Sequence, residues 1–203
     1  EALAALGAVD FLMWVVTGIS TGLTQGFSIQ LSQYYGAKDF ENLRKSLAHS
    51  YRLTAFIAAG VLILSQSFAS LVLTGLHTPS NIIGMSLLYL RIIFCGIPAT
   101  AAYNMFASAL RAMGNSKTPL TAMIIASVLN VSLDILFVAG FGWGVAGAAI
   151  ATVIAQSFSA VYCFLILRRI DIVHLTRADF MPASGMNARL MKLGIPVVFQ
   201  NII

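Results

Sequence analysis

Hydrophobic positions run along this chain in long blocks, and the polar positions fall mostly between them. Residues 11–37, 53–90, 92–110 and 135–167 contain no Asp, Glu, Lys or Arg. An uncharged apolar run of about 18 residues or more is long enough to cross a bilayer as a helix. The longer blocks hold a polar turn and divide into parts of two helices. The pattern predicts a first helix over 3–35, a second over 52–74, and a third over 82–113 that Pro98 kinks. Gly114 closes the third as its C′ residue, and the fourth begins behind Thr118 as N-cap with Pro119 at N1. The fifth runs over 145–167, and a sixth apolar segment starts near Leu193 and contains Pro196. The charged stretch 42–49 reads as a short interfacial helix before the second span. The expected fold class is an all-α integral membrane protein. It is an antiparallel transmembrane helix bundle with five complete helices plus the start of a sixth.

One polar stretch, Asn130-Val131-Ser132-Leu133-Asp134, stands inside this apolar pattern. Asp134 is the only charged residue between Thr118 and Leu167. Asn130 and Asp134 lie one turn apart on one helix face. A carboxylate within lipid is costly and faces a cavity or a partner, so Asp134 marks an ion or proton pathway. Gly140-Phe141-Gly142-Trp143-Gly144 is a turn, with Trp143 midway between the two helices. Counting equal steps each way from Trp143 pairs Asp134 with Thr152 in depth, and Asn130 with Gln156. The prediction is a buried cluster of Asn130, Asp134, Thr152 and Gln156. Small residues at Gly140, Gly144, Gly147, Ala151 and Ala155 would let the two helices approach closely. In the first helix Gln25, Ser28 and Ser32 recur at helical spacing, either lining a polar cavity or bonding neighbouring helices. Asp10 reads as an interfacial carboxylate, His77 beside Pro79 as a solvated turn residue, and Arg91 as a structural residue that snorkels or pairs in the bundle.

Composition excludes a soluble globule. The chain is 59% hydrophobic and 9% charged, with mean hydropathy +0.88, where a soluble domain carries about 25% charged residues. The net charge of +5 is compatible with nucleic acid, but its distribution argues for a membrane surface and no nucleic-acid partner. Lys38, Arg44, Lys45 and Arg52 flank the first connection, and Arg111 and Lys117 the third. Arg168, Arg169, Arg177, Arg189 and Lys192 flank the fifth, while the second and fourth carry no Lys or Arg. This alternation predicts cytoplasmic odd connections in a multi-pass protein of the cytoplasmic (inner) membrane. The Glu1 end then lies on the outer side, and Asp134 and Thr152 sit in the outer half of the bilayer. Cys95 and Cys163 have no paired or metal-type spacing and read as buried thiols. Glu1 follows no basic leader, and Ile203 falls inside an apolar run, so the expectation is an internal stretch of a longer membrane protein.

These residues resemble the multidrug and toxic compound extrusion (MATE) family of prokaryotic transporters. The matching pieces are Leu-Ala-Ala-Leu-Gly at 3–7, Gln33-Tyr34-Tyr35-Gly36-Ala37-Lys38-Asp39, and Tyr89-Leu90-Arg91-Ile92. Then follow the stretch from Ala109 through Arg111-Ala112-Met113-Gly114-Asn115 to Pro119, the Asn130–Asp134 stretch, and 144–152. The resemblance implies two lobes of six helices around a central cavity. Residues 1–170 would be the first lobe without its first helix, 171–189 a cytoplasmic interlobe linker, and 190–203 the start of the second lobe's first helix. It implies antiport, with Na⁺ or H⁺ entering as the coupling ion while an organic, often cationic, small molecule leaves. No cofactor is implied. The partners are the lipid bilayer and a second lobe of the same polypeptide. Asn130, Asp134 and Thr152 match the cation-site positions and are the candidate Na⁺ ligands. Gln156, by contrast, comes from depth matching, and Gln25 and Ser28 from helical spacing.

Three other readings stand beside the exporter. A flippase for lipid-linked saccharide precursors needs an Arg- and Lys-rich cavity for pyrophosphate, and only Arg91 is intramembrane. An intramembrane aspartyl enzyme needs two carboxylates sharing a proton, and only Asp134 is deep. The third makes Asp134 interhelical glue, against the functional default for charges in membrane spans. The expectation is a transporter and not an enzyme.

Overall fold

The structure is a computed structural model that describes residues 2–75, 83–181 and 185–202, with side chains at these positions except 2–13, 15, 16 and 202. The Asp10 side chain, His77 and Pro79 lie outside what is described. Every regular element among the described residues is helical. The order is α1 (Ala2–Gly36), α2 (Phe40–Gly75), α3 (Ile83–Cys95), α4 (Ile97–Ala112), α5 (Lys117–Asp134), α6 (Gly144–Arg168) and α7 (Met186–Ile202). α5 runs on as a π-helical segment, Ile135–Gly140, and two 3₁₀ turns, Asp171–Val173 and Arg177–Phe180, precede α7. Among the described residues, four stretches are long and apolar enough to cross a membrane: Phe40–Gly75, Ile83–Ala112, Lys117–Gly140 and Gly144–Arg168.

The local chemistry explains each boundary. No separate interfacial helix forms over 42–49, because α2 starts at Phe40 and passes straight through it. No Gly or Pro interrupts 40–52, and Leu43, Leu47, Ala48 and His49 are all closed to solvent, so tertiary burial holds the stretch in the span. Asp39 caps α2 by accepting from the Asn42 backbone N–H at 3.2 Å and the Asn42 amide at 2.7 Å. These bonds hold its carboxyl below the usual range. The third predicted helix breaks at Gly96 into α3 and α4, with Pro98 in the first turn of α4. Pro98 has no N–H for the carbonyl one turn back, and its ring crowds that carbonyl. Gly114 closes α4 at φ +83°, with the Asn115 N–H reaching the Leu110 carbonyl at 2.9 Å. The next helix begins earlier than expected, behind Ser116. Asn115 Oδ1 accepts from the Thr118 N–H at 3.1 Å. Pro119 is then the third helical residue, where an N–H has no partner within the helix.

α4 lies at the centre, packed by α1, α2, α5 and α6, while among the described residues the α2 and α6 backbones do not pack on one another. The interior mixes large side chains such as Phe27 and Leu110 with small ones: Ala48, Ala107, Ala122, Ala149 and Ala151 are all fully closed. The outside is apolar, with Phe56 71% and Ile63 65% exposed. That is the reverse of a soluble surface and suits lipid contact. The tightest helix crossing joins α1 to α7. A Cβ at Gly26 would lie 2.3 Å from the Gly194 Cα, and one at Gly22 2.6 Å from the Val198 Cα.

The stretch between α6 and α7 is sewn to the basic end of the bundle. Asp179, 5% exposed, accepts from the Thr176 N–H at 2.7 Å and the Thr176 hydroxyl at 2.8 Å. The Arg44 Nε lies 3.9 Å from its other oxygen. His49 Nε2 is 3.0 Å from the Met181 carbonyl, and its Nδ1 is 2.7 Å from the Asn187 side chain. α7 starts at Met186, ahead of the expected start at 190, and buries Met186 and Leu190 in the same core as Leu43 and Leu47. Asp179→Ala removes both cap bonds, so local stability there should fall by about 1–2 kcal/mol. Tryptic cleavage after the exposed Arg177 should then speed up severalfold, and cleavage at the wild-type rate would contradict the role given to this cap.

Candidate functional site

Asn130 sits one turn before the end of α5, and Thr152 on the facing side of α6. The Asn130 Nδ2 donates to the Thr152 Oγ1 at 3.4 Å, and that hydroxyl donates to the Ala148 carbonyl at 3.0 Å. The expected depth pairs are therefore displaced by one turn, since Asn130 meets Thr152 and not Gln156. The cause is the end of α5. The π-helical segment Ile135–Gly140 is wider and advances less per residue than an α-helix. The turn residues Phe141–Trp143 also come before α6 begins. α5 thus needs more residues than α6 to reach a given depth. Phe137, Phe141 and Trp143 stack over this end, with ring centroids 5.1–6.0 Å apart.

Asp134 stands one turn nearer the stacked rings than Asn130. Its side chain is half-buried and its Oδ1 is closed to solvent without a hydrogen-bond partner. Among the described residues no donor or cation pairs with it. A buried carboxylate oxygen without a partner is costly, and a cation or a proton satisfies it. On the other side of the Asn130–Thr152 bond lies a polar pocket of ≈ 140 Å³. Asn130, Thr152 and Gln156 line it, together with Ser127, Ser159 and Tyr103; Asp134 does not. Ser127 and Ser159 fall on the helix faces of Asn130 and Thr152, so helical spacing carried their signal. Tyr103 comes from α4, and no spacing within the α5–α6 pair points to it.

Of the five small residues expected between α5 and α6, Gly147, Ala151 and Ala155 lie buried in the structure. A Cβ at Gly147 would lie 2.9 Å from the Phe137 Cβ, whereas Gly144 has nothing within 4 Å. Gly144 and Gly142 instead shape the turn, at φ +55° and +68°. Gln25 lines a cavity of ≈ 240 Å³ between α1 and α7 with Thr21 and Asn201, and accepts from the Asn201 amide at 3.4 Å. Ser28 and Ser32 bond back to the carbonyls of Gln25 and Ser28 at 2.7 and 2.9 Å and do not line it. The α1 polar stripe does not line the pocket of Asn130 and Thr152, and neither does Arg91, which lies exposed on α3.

The donor set is oxygen: one carboxylate, one hydroxyl and one carboxamide. Hard cations and protons suit it, and softer metals do not. Among the described residues no three His, Cys, Asp or Glu side chains converge.

The MatE family profile matches residues 1–136. The chain belongs to the MATE transporter family. It is 30% identical over 203 residues to the probable multidrug resistance protein YpnP of Bacillus subtilis, covering 100% of this chain and 45% of that protein. Against the multidrug export protein MepA of Staphylococcus aureus it is 23% identical over 192 residues, covering 93% of this chain and 42% of MepA. The chain thus spans about half the length of the curated relatives it matches. In fold it matches a multidrug resistance MATE family transporter in its inward-facing conformation, with TM-score 0.90 and 24% identity over 100% of this chain and 46% of that one. A MOP superfamily transporter from Pyrococcus furiosus matches with TM-score 0.89 and 24% identity, over 98% of this chain and 45% of that one. The pocket polarity of that protein is described as suggesting a different function. The chain is a multi-pass membrane protein of the MATE family, a family of transporters and not of enzymes.

Proposed function

We propose that the intact MATE protein is a Na⁺- or H⁺-coupled antiporter that exports organic, often cationic, small molecules across the cytoplasmic membrane. The observation that carries this reading is the Asp134 Oδ1, buried and unpartnered one turn from the Asn130–Thr152 bond. In this reading Asp134 supplies the charge that a cation or proton neutralises, and Asn130 and Thr152 supply neutral oxygens. The rest of the polypeptide, including a second lobe, completes the coordination and the drug cavity. The printed names of YpnP and MepA support the drug class, since both are described through multidrug resistance or export. Fold alone does not choose the substrate. The arrangement of Lys and Arg supports placing the basic end in the cytoplasm.

Two experiments test this. Export by the intact protein is measured under an imposed Na⁺ gradient and, separately, a pH gradient. Thr152→Val should lower Na⁺-driven export about tenfold and pH-driven export much less, because only the metal loses a ligand outright. Equal export by the variant and the parent under both gradients would remove Thr152 from the site. For orientation, single cysteines at Lys38, Lys117 and Arg177 should resist an impermeant thiol reagent in intact cells, and one at Phe141 should react. Outside labelling at Lys38 would invert the orientation.

A further inference from the structure

The largest cavity among those described, ≈ 340 Å³, lies away from the Asp134 site. α4 turns Pro98, Ala102 and Met105 to this cavity and Tyr103 to the polar pocket, so the two open on different faces of the bundle. Because the α2 and α6 backbones do not pack on one another, the cavity is a groove with α4 as its floor. Small residues keep it open, Ala55 and Ala59 on α2 and Ala102 on α4. At its basic end three rings form a wall. Tyr51 meets Phe106 edge-on at 5.3 Å, and Phe106 meets Phe164 at 5.2 Å.

A second cavity of ≈ 220 Å³ begins at the same Tyr51 and Phe164, and Leu167, Arg168 and His174 line it. An apolar groove thus passes into a polar one at the C-terminal end of α6. Arg168 is exposed and has no ion-pair partner among the described residues. Arg169 follows it. Asp171 is the acidic neighbour, exposed and 3.8 Å from the His174 Nε2, so the two arginines leave the mouth net positive. From Tyr51 to Leu62 the groove follows α2 for about 16 Å at 1.5 Å per residue. Half of a bilayer's hydrocarbon core is about 15 Å.

We propose that this two-part groove holds one anionic glycerophospholipid from the leaflet at the basic end of the bundle. One acyl chain lies against α4 between α2 and α6, and the phosphate sits at Arg168 with His174 beside it. The bound lipid fills the space between two helices whose backbones stay apart. The inference rests on the membrane fold and not on the coupling reading, and the proposed orientation only decides which leaflet supplies the lipid.

The test uses the intact protein in nanodiscs doped with phosphatidylglycerol carrying a diazirine midway along one acyl chain, or with phosphatidylcholine carrying the same chain. Phosphatidylglycerol should label peptides holding Ala55–Leu62 and Ala101–Phe106 about fivefold more than phosphatidylcholine, the effect of one basic residue near an anionic headgroup. Arg168→Gln should reduce that labelling to the phosphatidylcholine level. Ala59→Phe should abolish α4 labelling by both lipids, because the ring fills the groove. Both positions are exposed, and an unchanged gel-filtration profile checks the fold of each variant, with Ala55→Phe as the second groove filler. Equal labelling by the two lipids with no effect of Arg168→Gln would reduce the groove to a crevice that any tail enters. Undiminished α4 labelling in the groove-filled variants would place the lipid elsewhere. Displacement of the label by an organic cation, or by cross-linking to a second copy, would assign the groove to that occupant. None of these readouts depends on transport, so a failed coupling test leaves them intact.

Discussion

Asp134→Asn in the intact transporter abolishes gradient-driven export, down to background, while its level in the membrane and its melting temperature stay the same or rise. The reason is the environment of the carboxylate. Asp134 makes no hydrogen bond or ion pair among the described residues, and its Oδ1 is closed to solvent. Asparagine keeps the shape and loses no existing bond, so the fold loses nothing. It removes a charge whose burial is costly, which favours the folded protein if it acts at all. What disappears is the group that binds a cation or carries a proton. An interhelical strut behaves in the opposite way, since its loss lowers stability and leaves coupling in place. Export is measured under separate Na⁺ and pH gradients, with thermal melting in detergent alongside. Normal export under both gradients, together with a lower melting temperature, would make Asp134 a structural residue and end the coupling proposal.

Gly26→Ala destabilises the protein by about 3 kcal/mol, at the upper end for overpacking. The added Cβ would lie 2.3 Å from the Gly194 Cα and 2.7 Å from both the Gly194 nitrogen and the Leu193 carbonyl oxygen. All three are backbone atoms, and no side-chain rotation relieves the clash. α1 and α7 must separate, which also disturbs the cavity holding Gln25 and Asn201. Gly60→Ala is the matched control, since nothing lies within 4 Å of its Cβ position, and alanine favours a helix by about 1 kcal/mol over glycine. Melting of the detergent-solubilised protein should therefore fall for Gly26→Ala and hold or rise for Gly60→Ala. Equal melting of the two variants would show that α1 and α7 do not cross at this point.

The pairing of Asp134 and Gly26 has a functional side. The first lies where α5 meets α6, and the second where α1 meets the helix that the resemblance assigns to the second lobe. An antiporter needs the ion site and the movement between lobes to be coupled through a discrete two-state element. In the proposed antiport reading such movement falls on the packed α1–α7 crossing, beside which Asp179 and His49 tie down the connection at the basic end. Small residues there permit sliding at short range that larger side chains would block.

The sequence by itself determined the helical class, most helix ends to within a few residues but not the start of α2 at Phe40 or the break at Gly96, and the alternation of basic and uncharged connections. It also singled out Asn130, Thr152 and Asp134. These properties are local. A period of 3.6 residues, an uncharged run and a charge in lipid are each readable from one segment. The tertiary structure alone decided which residues stand opposite one another. Asn130 meets Thr152 because a π-helical segment shortens α5, and nothing in the hydrophobic pattern of 135–140 distinguishes it from regular helix. Gly26 meets Gly194, and Arg168 stands at the mouth of a groove made by α2, α4 and α6, because of how separate helices pack. Periodicity tells which face of a helix is small or polar. Which neighbour that face meets, and at what depth, depends on turn geometry and on the joint packing of all the helices.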